Sequence, residues 1–164
     1  MSKFKIVGMI ILIAFAMGIL LVGDVVAGEK FKCRGFKYST KAEQINVGDE
    51  KGHILMLFEN TGIHSNMQGK TFCDGWLDWD SGVLDINPKT GISGNGYLTL
   101  TDKDGDKIYM KWDMKPAGPN EWTFFKGTGK FEEIRGKGTY STVFTADPKL
   151  TYADWEGEVE LPKR

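Results

Sequence analysis

The sequence predicts an all-β fold: a closed, antiparallel, eight-stranded barrel of about the size of a lipocalin. Glycine supplies 21 of the 164 residues and proline only 5. The glycines separate short runs rich in aromatic and β-branched residues, which is typical of successive strands. No window shows a helical period longer than about two turns. Closing such a sheet into a barrel is the simplest way to leave no unpaired edge strand.

Residues 1–27 are predicted to be a secretory signal peptide. Lys3 and Lys5 precede an uncharged run over residues 6–22, and a small-residue step ends at Ala27, which is the usual layout of such a segment. We expect cleavage after Ala27, and retention as an uncleaved membrane anchor is the alternative. In either case residues 28–164 form a single barrel domain outside the cytoplasm, so a periplasmic or secreted protein is expected.

The charge balance argues against nucleic acid as a partner. The formal net charge is −1, and no basic patch of the kind that neutralises phosphates is present. The glycine-rich stretch at residues 126–140 does not form a nucleotide loop either. Phe131 follows Gly129-Lys130 where a P-loop needs Ser or Thr, and Glu132 stands where a dinucleotide fingerprint needs its third glycine. No cofactor is predicted.

Cys33 and Cys73 are predicted to form a disulfide, because thiols oxidise outside the cytoplasm. The bridge closes a loop of roughly 40 residues, which stabilises the fold by about 4 kcal/mol in the chain-entropy model. Two unpaired buried thiols are the alternative. A zinc site is disfavoured because there is no Cys-x-x-Cys and His53 and His64 stand alone, so no metal is predicted.

Eight strands are predicted, at residues 32–38, 53–59, 69–79, 96–102, 107–114, 121–125, 137–144 and 155–161. The strand at 53–59 is apolar on both faces, and such a strand has something packed outside it as well as inside. Together with Leu98, Leu100 and Tyr109 on the predicted outer face, it could form a large apolar patch. Association into a homodimer or homotrimer is therefore predicted, with a covering N-terminal tail as the alternative.

The clearest hairpin joins residues 96–102 to 107–114. Asp104-Gly105 is a strong type I′ turn signal, and with this pair at the turn Thr101 faces Ile108. One face then carries Tyr97, Thr99, Thr101, Ile108, Met110 and Trp112. We predict that this face points inward, because the opposite face carries Asp102, Lys107 and Lys111, which are costly to bury.

The predicted inward face is apolar with a few hydroxyls, as ligand pockets generally are. Its six residues are therefore candidate ligand-binding residues in the lumen. The alternative is that they are plain barrel core.

Two acidic clusters carry alternative interpretations. Asp102, Asp104 and Asp106 could converge on calcium, but their glycine has the wrong position for an EF-hand, so a solvated hairpin tip is favoured. Asp78 and Asp80 could line a pocket and supply acid–base chemistry. Turn formation and solvated strand faces are the favoured interpretation of these two aspartates.

The glycine-rich stretch has a structural role in the predicted barrel. Gly127 and Gly129 end one strand, residues 131–134 make a turn that tucks Phe131 inward, and Gly136 and Gly138 begin the next strand. Glycine there supplies positive φ and close backbone approach at a barrel corner.

This Gly-Thr-Gly-x-Phe-x-x-Ile-x-Gly pattern resembles the allene oxide cyclase and dirigent barrel superfamily. The ending "DWEGEVELP" is similar to the closing strand of bacterial secreted members of that group. The resemblance covers about 35 residues. It implies an eight-stranded barrel that holds one small hydrophobic molecule, in a group whose members act as cyclases, radical-coupling guides or binders, often as dimers or trimers. No catalytic residue is carried over.

The leading functional expectation is a barrel that binds a small apolar or aromatic ligand. One alternative is a cyclase or isomerase acting on a lipid-like or polyketide-like substrate without metal or nucleotide. Another is a structural or interaction module of the envelope whose lumen is filled by its own side chains. Contact with a membrane is expected only if the signal segment is uncleaved.

Overall fold

Eight antiparallel strands close into a barrel in sequence order, with the last pairing back on the first. The computed structural model describes residues 28–162, so the predicted signal segment at 1–27 lies outside the described residues. The strands are β1 Glu29–Asn46, β2 Ile54–Asn66, β3 Leu77–Asn87, β4 Gly91–Thr101, β5 Lys107–Met114, β6 Asn120–Gly127, β7 Arg135–Phe144 and β8 Leu150–Glu160. The predicted fold class is confirmed. Within 28–162, no helix is long and apolar enough to cross a membrane.

The predicted strand at residues 69–79 is wrong for most of its length. A loop occupies residues 67–76, and β3 begins only at Leu77. Cys73 (φ 58°) and Gly75 (φ 70°) adopt the left-handed conformation there, which does not occur in regular strands. The prediction also missed the remainder of β3 and the start of β4, because glycines in this region suggest turns. Gly82 and Gly96 are strand residues whose missing side chains leave space for a tryptophan.

The β4–β5 hairpin differs from the prediction by one residue in register. Thr101 pairs with Lys107, not with Ile108, and Leu100 pairs with Ile108. Within residues 102–106, only Gly105 has positive φ, so the connection is a three-residue loop with glycine in its left-handed position rather than a two-residue type I′ turn. A one-residue slip moves a strand's side chains to the opposite face.

The slip reverses the predicted faces of β4 and leaves those of β5 unchanged. Leu98 and Leu100 are buried in the lumen, whereas Tyr97 is 53% exposed on the outside. The predicted outer apolar patch therefore loses its two leucines to the core.

One end of the barrel is plugged by the loop at residues 67–76. The predicted disulfide is confirmed: Cys33 in β1 is bonded to Cys73 in this loop. Phe72 and Trp76 from the same loop pack with ring centroids 5.0 Å apart, and both are buried. We call this the disulfide end, and the opposite end, with the connections at residues 47–53 and 145–149, the open end.

The glycine-rich turn also lies at the disulfide end. A short 3-10 helix, Gly129–Phe131, follows β6, and Phe131 packs against Trp76 at 5.2 Å between centroids. Among the four glycines, only Gly129 has positive φ. Gly136 and Gly138 lie inside β7, where a Cβ atom would collide with inward aromatic rings. Their role is therefore to leave space rather than to bend the chain.

A lysine forms ion pairs with the acidic hairpin tip. The ammonium of Lys130 contacts Asp102 and lies 2.5 Å from Asp104. Burial raises the pKa of Asp102, but hydrogen bonds from Lys130 and from backbone amides outweigh it and lower the pKa. Over residues 28–162, no group of three or more histidine, cysteine or acidic side chains is arranged to hold a metal ion.

Candidate functional site

A partly open cavity occupies the half of the lumen near the open end. Its volume is about 380 Å³, which lies within the range of small-molecule pockets. The apolar part of its wall includes Ala42, Met56, Phe58, Leu84, Met114 and Phe144. Toward the middle of the barrel, the cavity ends on five residues that we call the floor: Lys37, Asp80, Trp112, Tyr140 and Trp155.

An ion pair lies buried in the floor. The Nζ atom of Lys37 lies 2.5 Å from the Oδ2 atom of Asp80, and the two side chains are 5% and 7% exposed. The indole Nε1 of Trp112 donates a hydrogen bond of 2.8 Å to the other oxygen of Asp80. Both carboxylate oxygens therefore accept from a donor, which is what a buried carboxylate requires.

Glycines on the inner surface make space for this arrangement. A Cβ atom at Gly82 or Gly96 would lie 2.4 or 2.3 Å from Cζ2 of Trp112, closer than any real contact. The indole therefore lies flat against the backbone of β3 and β4, with its nitrogen directed at Asp80. Any side chain at either glycine would displace the indole.

A second buried pair lies deeper, toward the disulfide end. Nε2 of His64 and Oδ2 of Asp78 are 2.9 Å apart, and their side chains are 2% and 0% exposed. Their contact lacks hydrogen-bond geometry, and neither oxygen of Asp78 has a partner among the described residues. The favoured interpretation of Asp78 and Asp80 as solvated residues is wrong, since both face the lumen and only Asp80 reaches the cavity.

Two aromatic residues of the floor have unused polar atoms. Tyr140 and Trp155 stack with ring centroids 4.4 Å apart. The hydroxyl of Tyr140 and the Nε1 atom of Trp155 are buried and have no hydrogen-bond partner within residues 28–162. Burial and the nearby charge of Asp80 raise the pKa of Tyr140 above its usual range. Its hydroxyl therefore keeps its proton at neutral pH and can donate a hydrogen bond to a ligand.

The six predicted lumen residues are divided by the barrel wall. Ile108, Met110 and Trp112 point inward, and only Trp112 lines the cavity. Met110, 1% exposed, belongs to the filled half of the barrel. The other three, Tyr97, Thr99 and Thr101, lie on the outer face because of the register difference described above.

Sequence reasoning missed Lys37, one of the two charged residues of the floor, although β1 carries a signal for it. Residues of a strand alternate between faces, and a cysteine that forms a buried disulfide must point inward. Lys37 has the same parity as Cys33 and therefore shares its face. Lysine is almost never fully buried unless it is paired, so Lys37 is expected to be exposed. Its partner Asp80 is far away in sequence and cannot be recognised from the local pattern.

Comparisons with known proteins support the fold. The sequence matches no protein-family model and none of the curated proteins. The barrel is similar to that of the pterocarpan synthase dirigent protein GePTS1, with 11% identity, coverage of 87% of this chain and 94% of that chain, and a TM-score of 0.53. The corresponding values for the pterocarpan synthase dirigent protein PsPTS1 are 11%, 84%, 99% and 0.52.

A pyocyanin demethylase is also similar, at 18% identity over 82% of this chain and 100% of that chain, with a TM-score of 0.44. The two dirigent proteins show that the chain has a dirigent-like barrel fold, which is the fold that the glycine-rich turn implies. At such low identity the likeness extends to the fold alone.

Proposed function

We propose that this protein binds a small apolar or aromatic molecule in the cavity at the open end of its barrel. The observation that carries the proposal is the cavity of about 380 Å³, with mostly apolar walls and a floor that contains polar groups. Ligand sites combine these features: apolar walls supply most of the binding free energy, and a few fixed polar groups orient the ligand. A lumen filled by its own side chains, as expected for a purely structural module, would leave no such space.

The binding proposal can be tested with a neutral fluorescent probe, N-phenyl-1-naphthylamine. We expect its emission to increase with the wild-type protein. Thr142 lines the cavity, so Thr142→Trp should fill it and weaken binding at least tenfold. Thr99→Trp, which adds the same side chain on the outer face, is the matched control and should bind normally. Equal binding by both variants would place the probe elsewhere and refute the proposal.

A second candidate function is an isomerase or cyclase. The observation that favours it is the contact between Lys37 and Asp80 at the cavity floor, since paired ionisable groups beside a pocket can serve acid–base chemistry. Native protein can be extracted for bound molecules and then incubated with them. A product of identical mass with a changed carbon skeleton supports the enzyme, and unaltered ligand supports binding alone.

We also propose that the protein works outside the cytoplasm, either in the periplasm or as a secreted protein. The disulfide between Cys33 and Cys73 supports this, because structural disulfides persist in oxidising compartments. N-terminal sequencing of the protein from its host tests both the location and the fate of residues 1–27. A first residue at Gly28 or Glu29 supports secretion with cleavage, and intact Met1 in cytosolic fractions would contradict it.

Association with a second copy is proposed from the outer surface. Val143, Tyr152, Phe36, Ile63 and Leu77 are successive cross-strand partners on five neighbouring strands, and four of them are 39–61% exposed. Continuous apolar surfaces of this kind commonly mark protein interfaces. Sedimentation velocity should show a dimer or trimer that dissociates when Ile63→Lys and Leu77→Lys are combined. A monomeric wild-type protein would contradict this proposal.

A further inference from the structure

The floor of the cavity has more hydrogen-bond donors than the carboxylate of Asp80 engages. Lys37 carries three N–H groups, and its hydrogen bond within residues 28–162 goes to Asp80. The O–H of Tyr140 and the N–H of Trp155 have no partner in the same part of the chain. These three residues are 6%, 7% and 3% exposed.

Unpaired donors at this depth are unfavourable for the empty protein. Leaving a buried polar group without a hydrogen bond costs about 1–3 kcal/mol, and few such groups occur in native structures. Two of them belong to residues whose rings stack on each other and which line the same cavity. A ligand oxygen at this point would satisfy donors that the protein itself leaves unpaired.

The charges at the floor favour an uncharged oxygen. Asp80 carries its negative charge in the floor, and its single positive neighbour there, Lys37, is already engaged with it. Asp78 lies two residues away on the same face of β3. A ligand carboxylate would place a further negative charge beside these groups in a site largely removed from water, where like charges repel strongly.

The rings at the floor favour a flat ligand. Tyr140 and Trp155 are nearly parallel, with an interplanar angle of 21°, and Phe58 and Trp112 form another stacked pair with centroids 5.9 Å apart. Aromatic faces of this kind pack best against planar aromatic molecules.

We propose that the ligand is a planar, uncharged aromatic molecule whose inner end is a carbonyl oxygen, as in an aryl ketone or quinone, which accepts hydrogen bonds from Lys37, Tyr140 and Trp155. This inference rests on the proposed binding function and specifies its ligand class. The carbonyl lies at the floor, and the rings extend between the apolar walls toward the open end.

Three naphthalene probes of nearly equal size test the inference by isothermal titration calorimetry. They are 2-acetylnaphthalene, 2-isopropenylnaphthalene, in which a CH₂ group replaces the carbonyl oxygen, and 2-naphthoate. We expect the ketone to bind at least tenfold tighter than the alkene, because only the ketone satisfies the buried donors. The carboxylate should bind more weakly than the ketone.

Tyr140→Phe is the matched variant, since it removes one oxygen and keeps the stacked ring. It should weaken ketone binding about five- to tenfold and leave alkene binding unchanged. Folding is not at risk, because the substitution removes an unpaired hydroxyl, and the thermal midpoint should not fall.

The outcomes separate the two proposals. Equal affinity for ketone and alkene, tightest binding of the carboxylate, or no effect of Tyr140→Phe on the ketone would overturn the carbonyl inference while leaving the binding function intact. Absence of binding by all three probes would overturn both.

Discussion

Loss of the buried charge pair gives the sharpest test of the barrel interior. Lys37→Met keeps most of the side-chain volume but leaves the carboxylate of Asp80 without its counter-charge at 7% exposure. Removing one partner of a buried ion pair costs about 3–5 kcal/mol. The exposed pair Lys32–Glu156, with side chains 58% and 56% exposed, provides the control, and Lys32→Met should cost less than about 1 kcal/mol.

A double-mutant cycle measured by urea unfolding separates pairing from packing. Asp80→Asn alone should destabilise the protein to a similar extent as Lys37→Met, because it leaves the ammonium buried and unpaired. The double variant should be more stable than the sum of the single effects implies, since it contains neither charge, and Asn at position 80 can still accept the hydrogen bond from Trp112. Additive single effects, or a cost for Lys37→Met as small as that for Lys32→Met, would refute the reasoning.

Three further predictions concern other parts of the barrel. Gly96→Ala should destabilise the protein by about 1–3 kcal/mol in urea unfolding, because its Cβ would lie 2.3 Å from the ring of Trp112; an unchanged midpoint would contradict this account. The hydrogen bond to Asp49 raises the pKa of His53 above 6.5; burial opposes this shift and Asp85 assists it. The protonated His53 therefore stabilises the fold fully below pH 6.5, and this stabilisation is lost as the pH rises through the raised pKa. Urea midpoints of wild-type protein and His53→Gln should therefore converge with increasing pH, and a constant difference would contradict the pairing. Reduction of the disulfide should lower the free energy of unfolding by roughly 4 kcal/mol, and an unchanged value would show that the loop it closes is already ordered in the unfolded chain.

The fold could be predicted from the sequence because its signals are local and repeated. Glycine and turn residues divide the chain into short strands, and two cysteines in a chain predicted to be secreted leave few alternatives to a disulfide. The first and last residues of the strands were harder to predict. Residues 39–46 continue β1 past Tyr38, its last residue paired with β8, and they lack the usual apolar alternation.

The site was harder to predict because it depends on register and on pairing between distant residues. One extra loop residue after Asp102 exchanges the two faces of β4. The burial of Lys37 is acceptable only because Asp80, 43 residues away, faces the same lumen. Local sequence patterns carry neither the register nor this partnership, and the usual cost of burying charge points to the opposite conclusion.

The central claim, a ligand inside the open half of the lumen, can be tested most directly by NMR of methionine methyl groups. Met56 and Met114 line the cavity, Met110 is buried in the filled half, and Met67 is 53% exposed on the surface. On titration with 2-acetylnaphthalene, ring-current shifts should be large for Met56 and Met114, small for Met110 and absent for Met67. Shifts confined to Met67, or no shift at the two cavity methyls with saturating ketone, would contradict the claim.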